Sequence, residues 1–245
     1  SVVMSGAAIG SNIARFFSLN DRQRVTLVGC GAAGAISSIF NAPIAGIVFT
    51  IEVILGEWTA VNIIPIAIAS VAGTEISRLL QGNQIAFSHK LFDIGFGDIL
   101  ASTGLAVFTA AASIMLTHLL RHMHKISGKI RSPLWVRAAM GGAAVGIIGI
   151  FLPVVLGEGY HWVHDMIEGI FTQGLAFAAL ACAAKILATS LTLGWGGSGG
   201  IFAPCLVIGS LVGLTYHRTL SALWPSIGWV NEGCFALLGM AGLIS

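Results

Sequence analysis

The stretch Gly194-Trp195-Gly196-Gly197-Ser198-Gly199-Gly200-Ile201-Phe202-Ala203-Pro204 joins two strongly apolar runs with backbone that carries almost no side chains. Glycine at that density should break a helix. A helix start leaves its first N–H groups without intrahelical acceptors, and the macrodipole adds roughly half a positive charge there. Such an end can hold an anion on partial charges alone. A lysine would bind a small anion strongly and release it slowly, whereas partial charges permit passage. The donors in this reading are the amides of Ile201 and Phe202. Gly199 and Gly200 clear the approach, and Ser198 can add a hydroxyl. The plainer reading is a glycine-rich helix-packing site or a connector.

Other residues offer other chemistry. Gly196-Gly197-Ser198-Gly199 also fits the Gly-x-Ser-Gly pattern of rhomboid-type intramembrane serine proteases, in which a histidine must activate the serine. His217 is the only histidine after Ser198, and it falls four to five turns along the same helix at about 3.6 residues per turn. His118 could serve only from elsewhere in the fold. Glu52 closes the apolar run Phe40–Val53, where it is either an intramembrane carboxylate or a solvated cytoplasmic one. Lys185 is the only charge in Gly174–Leu193; it can snorkel, pair with a carboxylate or add positive potential near a permeation path. His161, His164, Asp165 and Glu168 have helical spacing for a metal, but an exposed polar loop accounts for them, so no metal site is assigned. Cys30, Cys182, Cys205 and Cys234 form no Cys-x-x-Cys pair and read as packing residues.

The elements that position these residues are membrane helices. The chain is 56% hydrophobic and 9% charged, with a mean hydropathy of +0.91. Bilayer-length apolar runs cover Val61–Leu80, Ile99–Leu120, Trp135–Leu156 and Gly174–Leu193. None shows the alternation of a membrane barrel, so an all-α polytopic bundle follows. Asn41 is placed to cap a helix opening at Pro43, where Ala45 and Gly46 allow close packing. Arg121, Lys125, Lys129, Arg131 and Arg137 bracket one linker, and Arg15, Arg22 and Arg24 another; the linkers Gln81–Phe96 and Gly157–Glu168 are mainly acidic. Positive-inside logic puts the basic linkers in the cytoplasm and the acidic ones outside. This composition excludes a nucleic-acid partner. There is no signal peptide pattern, and both ends lie within apolar runs, which implies truncation at both ends.

The chain also matches itself. Ile9-Gly10-Ser11 recurs as Ile208-Gly209-Ser210, and Ala33-Gly34-Ala35-Ile36-Ser37 as Ala241-Gly242-Leu243-Ile244-Ser245, in the same order. Duplicated membrane halves often pack as inverted repeats, with a binding site where interrupted helices meet.

With these residues in view, the sequence resembles the CLC family of chloride channels and proton-coupled chloride exchangers. Gly199–Pro204 matches the family's Gly-x-Phe-x-Pro anion motif, Ala33–Val53 the stretch leading into a helix that ends near the cytoplasm, and Ile9–Arg15 the segment after the Gly-x-Glu-Gly-Pro motif. Phe235–Ser245 matches the helix entering the second copy, and Lys185 falls where bacterial members tend to carry arginine. The resemblance implies a partial transmembrane domain over 1–245 with inverted repeats and broken, re-entrant helices. It implies a homodimer with one pore per subunit, in lipid and in a bacterial inner membrane. It further implies a small inorganic anion as cargo, no cofactor and no catalytic residue. The anion site would comprise Gly199, Gly200, Ile201, Phe202 and Pro204, with Lys185 as supporting charge. Counting straight back from Ile9 lands on Val3, so the gating glutamate either precedes Ser1, which is the expectation here, or is absent. Exchangers tend to carry two consecutive glutamates where this chain has Glu52-Val53. A valine cannot carry a proton, so channel-like or weakly coupled transport is expected, with Glu52 as a doubtful proton residue.

Overall fold

The computed structural model describes residues 2–83, 87, 92, 94–225 and 228–244, and all regular structure among them is helical. The chain divides into two compact units, Ser1–Phe87 and Ser88–Ser245.

The first unit holds α1 (Val2–Phe16), α2 (Asp21–Phe40), α3 (Pro43–Phe49) with a π-helical continuation over Thr50–Leu55, and α4 (Ala60–Gln81). A capping box opens α2: Gln23 N–H donates to Asn20 Oδ1 at 2.9 Å, and Asn20 N–H returns to Gln23 Oε1 at 3.3 Å. Asn41 does not cap α3 as the sequence suggested. It closes α2 in the left-handed region (φ 52), and its Oδ1 accepts from Arg78 Nε at 2.6 Å. Ala42 is the residue before α3, and Pro43 takes the first helical position, where a missing N–H is harmless. Gly46 is buried at the Ala33 carbonyl, whereas Ala45 faces outward and takes no part in that packing. Small hydroxyls tie the layer together: Ser37 Oγ donates to the Ser70 carbonyl at 2.8 Å, and Ser70 Oγ to that of Pro43 at 2.7 Å. Ala33, Ile51 and Ile66 form the apolar centre.

The second unit holds α5 (Phe96–Lys129), α6 (Leu134–Phe151), α7 (Tyr160–Glu168), α8 (Leu175–Gly194), α9 (Phe202–Leu223) and α10 (Glu232–Ile244). Its core joins Leu116, Ile186, Ile208 and Leu243, one residue from each of α5, α8, α9 and α10. Arg121, Lys125 and Lys129 lie on the last turns of α5, beside the short connection to α6 that the sequence has them bracket; the 34 residues of α5 run about 51 Å at ~1.5 Å per residue, well past a hydrocarbon core of ~30 Å. Two sequence expectations change here. The run Trp135–Leu156 is not one helix: α6 stops at Phe151, and Pro153 opens a 3-10 turn over Pro153–Val155. His161, His164, Asp165 and Glu168 sit on the short helix α7 rather than in a loop, where His161 Nδ1 lies 3.3 Å from Asp165 Oδ2.

Among the described residues four helices, α4, α5, α6 and α8, are long and apolar enough to cross a membrane, and they correspond to the four bilayer-length runs. On α4 only Ile66, Ser70 and Thr74 are buried, while Val61, Ile64, Ile68 and Val71 project outward. An apolar surface of that extent suits lipid.

The self-match has a physical counterpart inside each unit. α1 and α2 touch backbone to backbone: a Cβ on Gly6 would overlap the carbonyl of Gly31, and one on Gly10 that of Leu27. α9 and α10 do the same, with Gly209 against Gly239 and Gly213 against Phe235. Both are antiparallel pairs closed by glycine. The matched residues Gly10 and Gly209 each lie where the two backbones of their own pair meet.

Candidate functional site

The break predicted at the glycine stretch occupies residues 195–201. α8 ends at Gly194, with the Trp195 N–H bonded to the Leu191 carbonyl at 3.1 Å. The chain then turns back through Gly196, whose φ of +90 favours glycine, and Gly197 donates its N–H to the Thr192 carbonyl at 2.8 Å. Gly197 lies so close to that carbonyl that a Cβ would come within 2.6 Å of the oxygen. Ser198, Gly199, Gly200 and Ile201 follow and are exposed.

α9 starts at Phe202, with Ile201 as the flanking residue (φ −83, ψ −22) and its carbonyl accepting from Cys205 N–H at 3.0 Å. Among the described residues no side chain caps this helix. Pro204 occupies its first turn, where the ring fits and the lost N–H breaks no ladder bond. A helix N-terminus that is open, uncapped and preceded by glycine is therefore present where the sequence placed it.

Lys185 is 2% exposed on α8. Its Nζ donates to the carbonyls of Val155 and Gly157, each at 2.9 Å. Both acceptors belong to the turn that follows α6. Pro153 shapes that turn, and Gly157 (φ +63) and Gly159 (φ +81) bend it over the ammonium. Among the described residues no carboxylate pairs with Lys185, which neither snorkels nor forms the ion pair the sequence allowed. Instead it faces a cavity of about 210 Å³ whose wall also includes Thr189, Gly157, Gly199, Gly200 and Pro204. The structure thus brings Lys185 together with three of the five candidate anion-site residues. The Val155 and Gly157 carbonyls were the functional groups that sequence reading missed, since every residue carries a carbonyl and only the fold aims these two.

Glu52 is exposed on the π-helical segment of the first unit, next to Val53, which is 65% exposed. π-helical turns recur at functional sites. His217 lies on α9 about 22 Å from its start at ~1.5 Å per residue. Among the described residues neither of its buried ring nitrogens has a hydrogen-bond partner, and it lines a different cavity, with Trp229, Asn231 and Glu232. Ser198 and His217 therefore do not form a nucleophile–base pair, and the protease reading is not supported. Next to it, Arg218 fixes the far end of α9: its Nε donates to Glu232 Oε2 at 3.0 Å, its Nη2 to the Phe171 carbonyl at 2.6 Å, and its Nη1 to the Gln173 carbonyl. Among the described residues no group of His, Cys, Asp and Glu has metal-binding geometry.

Similarity to known proteins points the same way as this geometry. A ClcB-like protein of Ralstonia nicotianae is 31% identical over 243 residues, covering 99% of this chain and 56% of its own length. The chloride channel protein CLC-f of Arabidopsis thaliana is 31% identical over 97% of this chain and 33% of its own. The H(+)/Cl(-) exchange transporter ClcA of Vibrio cholerae is 27% identical over 99% of this chain and 53% of its own. The fold matches that of a slow cyanobacterial Cl-/H+ antiporter with a TM-score of 0.78 at 22% identity, over 99% of this chain and 57% of that one. A CLC-type fluoride/proton antiporter matches equally, with a TM-score of 0.78 over 59% of its chain. The chain spans about half the length of most of these relatives. The voltage gated chloride channel family matches over residues 1–245, and with the broken helices, the glycine-flanked start of α9 and these relatives in agreement, the chain belongs to that family.

Proposed function

We propose that residues 1–245 form part of a transmembrane domain that carries chloride or a similar small anion through one pore in each subunit of a homodimer. The bacterial inner membrane is its location. The observation that carries the reading is the uncapped, glycine-preceded N-terminus of α9, opening beside a cavity that also holds a buried ammonium. The amides of Ile201 and Phe202 hold the anion, Gly199 and Gly200 leave the backbone bare for its approach, and Pro204 keeps the first turn rigid. Lys185 raises the local potential with no side-chain counter-ion among the described residues, and its two carbonyl partners moderate that field, so the anion is attracted and still released. Transport is channel-like or weakly proton-coupled, because Val53 stands beside Glu52 and has no proton to pass.

The amide ligands can be tested without moving the helix. Ile201 has φ −83, close to the proline value, and Gly200 precedes it, so Ile201→Pro removes one N–H at a tolerant position. In proteoliposomes of the full-length protein, Ile201→Pro should raise the half-saturating chloride concentration about tenfold, the usual scale for one hydrogen bond to a charged group. Ile201→Ala, which keeps the N–H, should leave it unchanged. Equal saturation in both variants and the wild type would remove these amides from the site.

A further inference from the structure

Between Asp98 and Glu158 the chain carries no acidic residue, and its positive charges collect where α5 turns into α6: Arg121, Lys125, Lys129, Arg131 and Arg137. Arg137 is committed to the corner itself, with Nη1 donating to the Ser127 carbonyl at 3.1 Å. The others are exposed, and among the described residues no carboxylate pairs with any of them. On α5 they are also ordered. Arg121, Lys125 and Lys129 follow one another at i, i+4 and i+8, and His118 and His122 run beside them, so all lie within an arc of about 100° at ~100° per residue. The opposite side of these turns is the packed one. Leu116 belongs to the core, Ser127 is buried, and Met123 stands against Gly194 at the end of α8.

Earlier along α5 the same face is apolar and open. Phe96, Leu100, Val107 and Ile114 lie on the line of the basic residues, and each is more than half exposed. From Phe96 to His118 is about 33 Å of helix at ~1.5 Å per residue, against ~30 Å of hydrocarbon. Charge therefore begins on this face where the hydrocarbon ends. Arg121 to Lys129 then covers about 12 Å, against a headgroup layer of roughly 5–8 Å on each side of a membrane. The stripe crosses that layer and ends within a Debye length, ~8 Å, of its surface. Trp135, exposed in the first turn of α6, marks the same level, as indoles do at membrane interfaces. A helix end that was merely solvated would scatter its charges around the axis, whereas these continue the apolar line.

We propose that this face of α5 is a docking surface for anionic phospholipid of the cytoplasmic leaflet, the side to which its charge assigns this corner. Phosphate-bearing headgroups lie against Arg121, Lys125, Lys129 and Arg131, and the acyl chains run along Val107 and Ile114. Charge complementarity selects the lipid. A zwitterionic headgroup brings an ammonium with its phosphate, whereas phosphatidylglycerol brings a negative charge that only the protein compensates. His118 and His122 add N–H donors for the phosphate oxygens. Lipid held here steadies the last turns of α5 from outside while α8 packs them from inside, one helix away from the break at residues 195–201. This contact is independent of what passes beside α9.

Native mass spectrometry of the full-length protein in a neutral detergent, titrated with dioleoyl phosphatidylglycerol or dioleoyl phosphatidylcholine, reads the preference directly. The wild type should retain phosphatidylglycerol at a concentration at least about tenfold lower, since each basic residue near an anionic headgroup is worth about fivefold. Arg121→Gln/Lys125→Gln/Lys129→Gln should lose most of that preference. Arg15→Gln/Arg22→Gln/Arg24→Gln removes as much charge from the other basic linker and should keep it, because Arg24 is engaged by Ser11 and Asp21 stands beside Arg22. Equal affinity of the wild type for the two lipids, as an acidic protein segment seated on the stripe would produce, would overturn the proposal, and that arm needs no variant to fold. Equal losses in the two triple variants would overturn it too, since the lipid would then be reading net charge and not this face of α5.

Discussion

Asn41 shows how a single residue can serve an end other than the one its neighbours suggest. It precedes Ala42-Pro43 and so reads as the start of α3, yet it closes α2 at φ 52, a conformation that asparagine tolerates better than most side chains. Its amide oxygen also takes the Arg78 Nε bond at 2.6 Å, tying the end of α2 to the end of α4. Replacing it with alanine imposes left-handed strain of about 1–2 kcal/mol and loses one charge-assisted bond. Asn41→Ala should therefore lower the unfolding temperature in detergent by several degrees, and Asn41→Gly, which keeps only the conformation, should fall less far. Lys185 makes a parallel point. Its isolation in an apolar run was legible, but its partners were not, because a carbonyl has no sequence signature and its direction depends on Pro153 and two left-handed glycines.

Among the helices, the four long crossings followed from the length of their apolar runs, which a bilayer leaves little freedom to misplace. Their ends were less legible. α5 continues through His118, Arg121 and Lys125 because charged residues can extend a helix beyond the lipid as readily as end it, and α6 stops where Pro153 removes a donor. The glycines of the two antiparallel pairs separate by what faces them. Gly213→Val would drive a side chain into the Phe235 carbonyl and Gly10→Val into that of Leu27, and each should cost several kcal/mol or prevent folding. Gly142 on α6 faces open space, with nothing within 4 Å of where a methyl group would stand, so Gly142→Ala should be neutral or stabilise by up to about 1 kcal/mol. Thermal unfolding of the three variants in one detergent checks the contrast, and equal losses in all would contradict the packing account.

For the molecule as a whole, composition alone required a helical membrane protein, and the self-match, which suggested duplicated halves, has as its counterpart one glycine-closed helix pair in each unit. The glycine stretch gave the position of the break between α8 and α9, where the proposed site lies, because its spacing is a backbone property, written directly in residue type. The cavity beside it was not legible, since it depends on a turn from α6, a lysine from α8 and a loop before α9 meeting in one place. Nor does the pattern Glu52-Val53 reveal by itself how the carboxylate is used, for Glu52 is exposed on the first unit's π-helical segment. The proposed function is passage of a small anion without an obligatory proton. A chloride gradient across liposomes holding the full-length protein, with external chloride and pH recorded together, puts both halves of that statement to the test. Chloride efflux should follow once the membrane potential is dissipated, with no proton movement in fixed ratio to it; absence of flux for chloride, nitrate and fluoride alike, or strict proton exchange at constant stoichiometry, would contradict it.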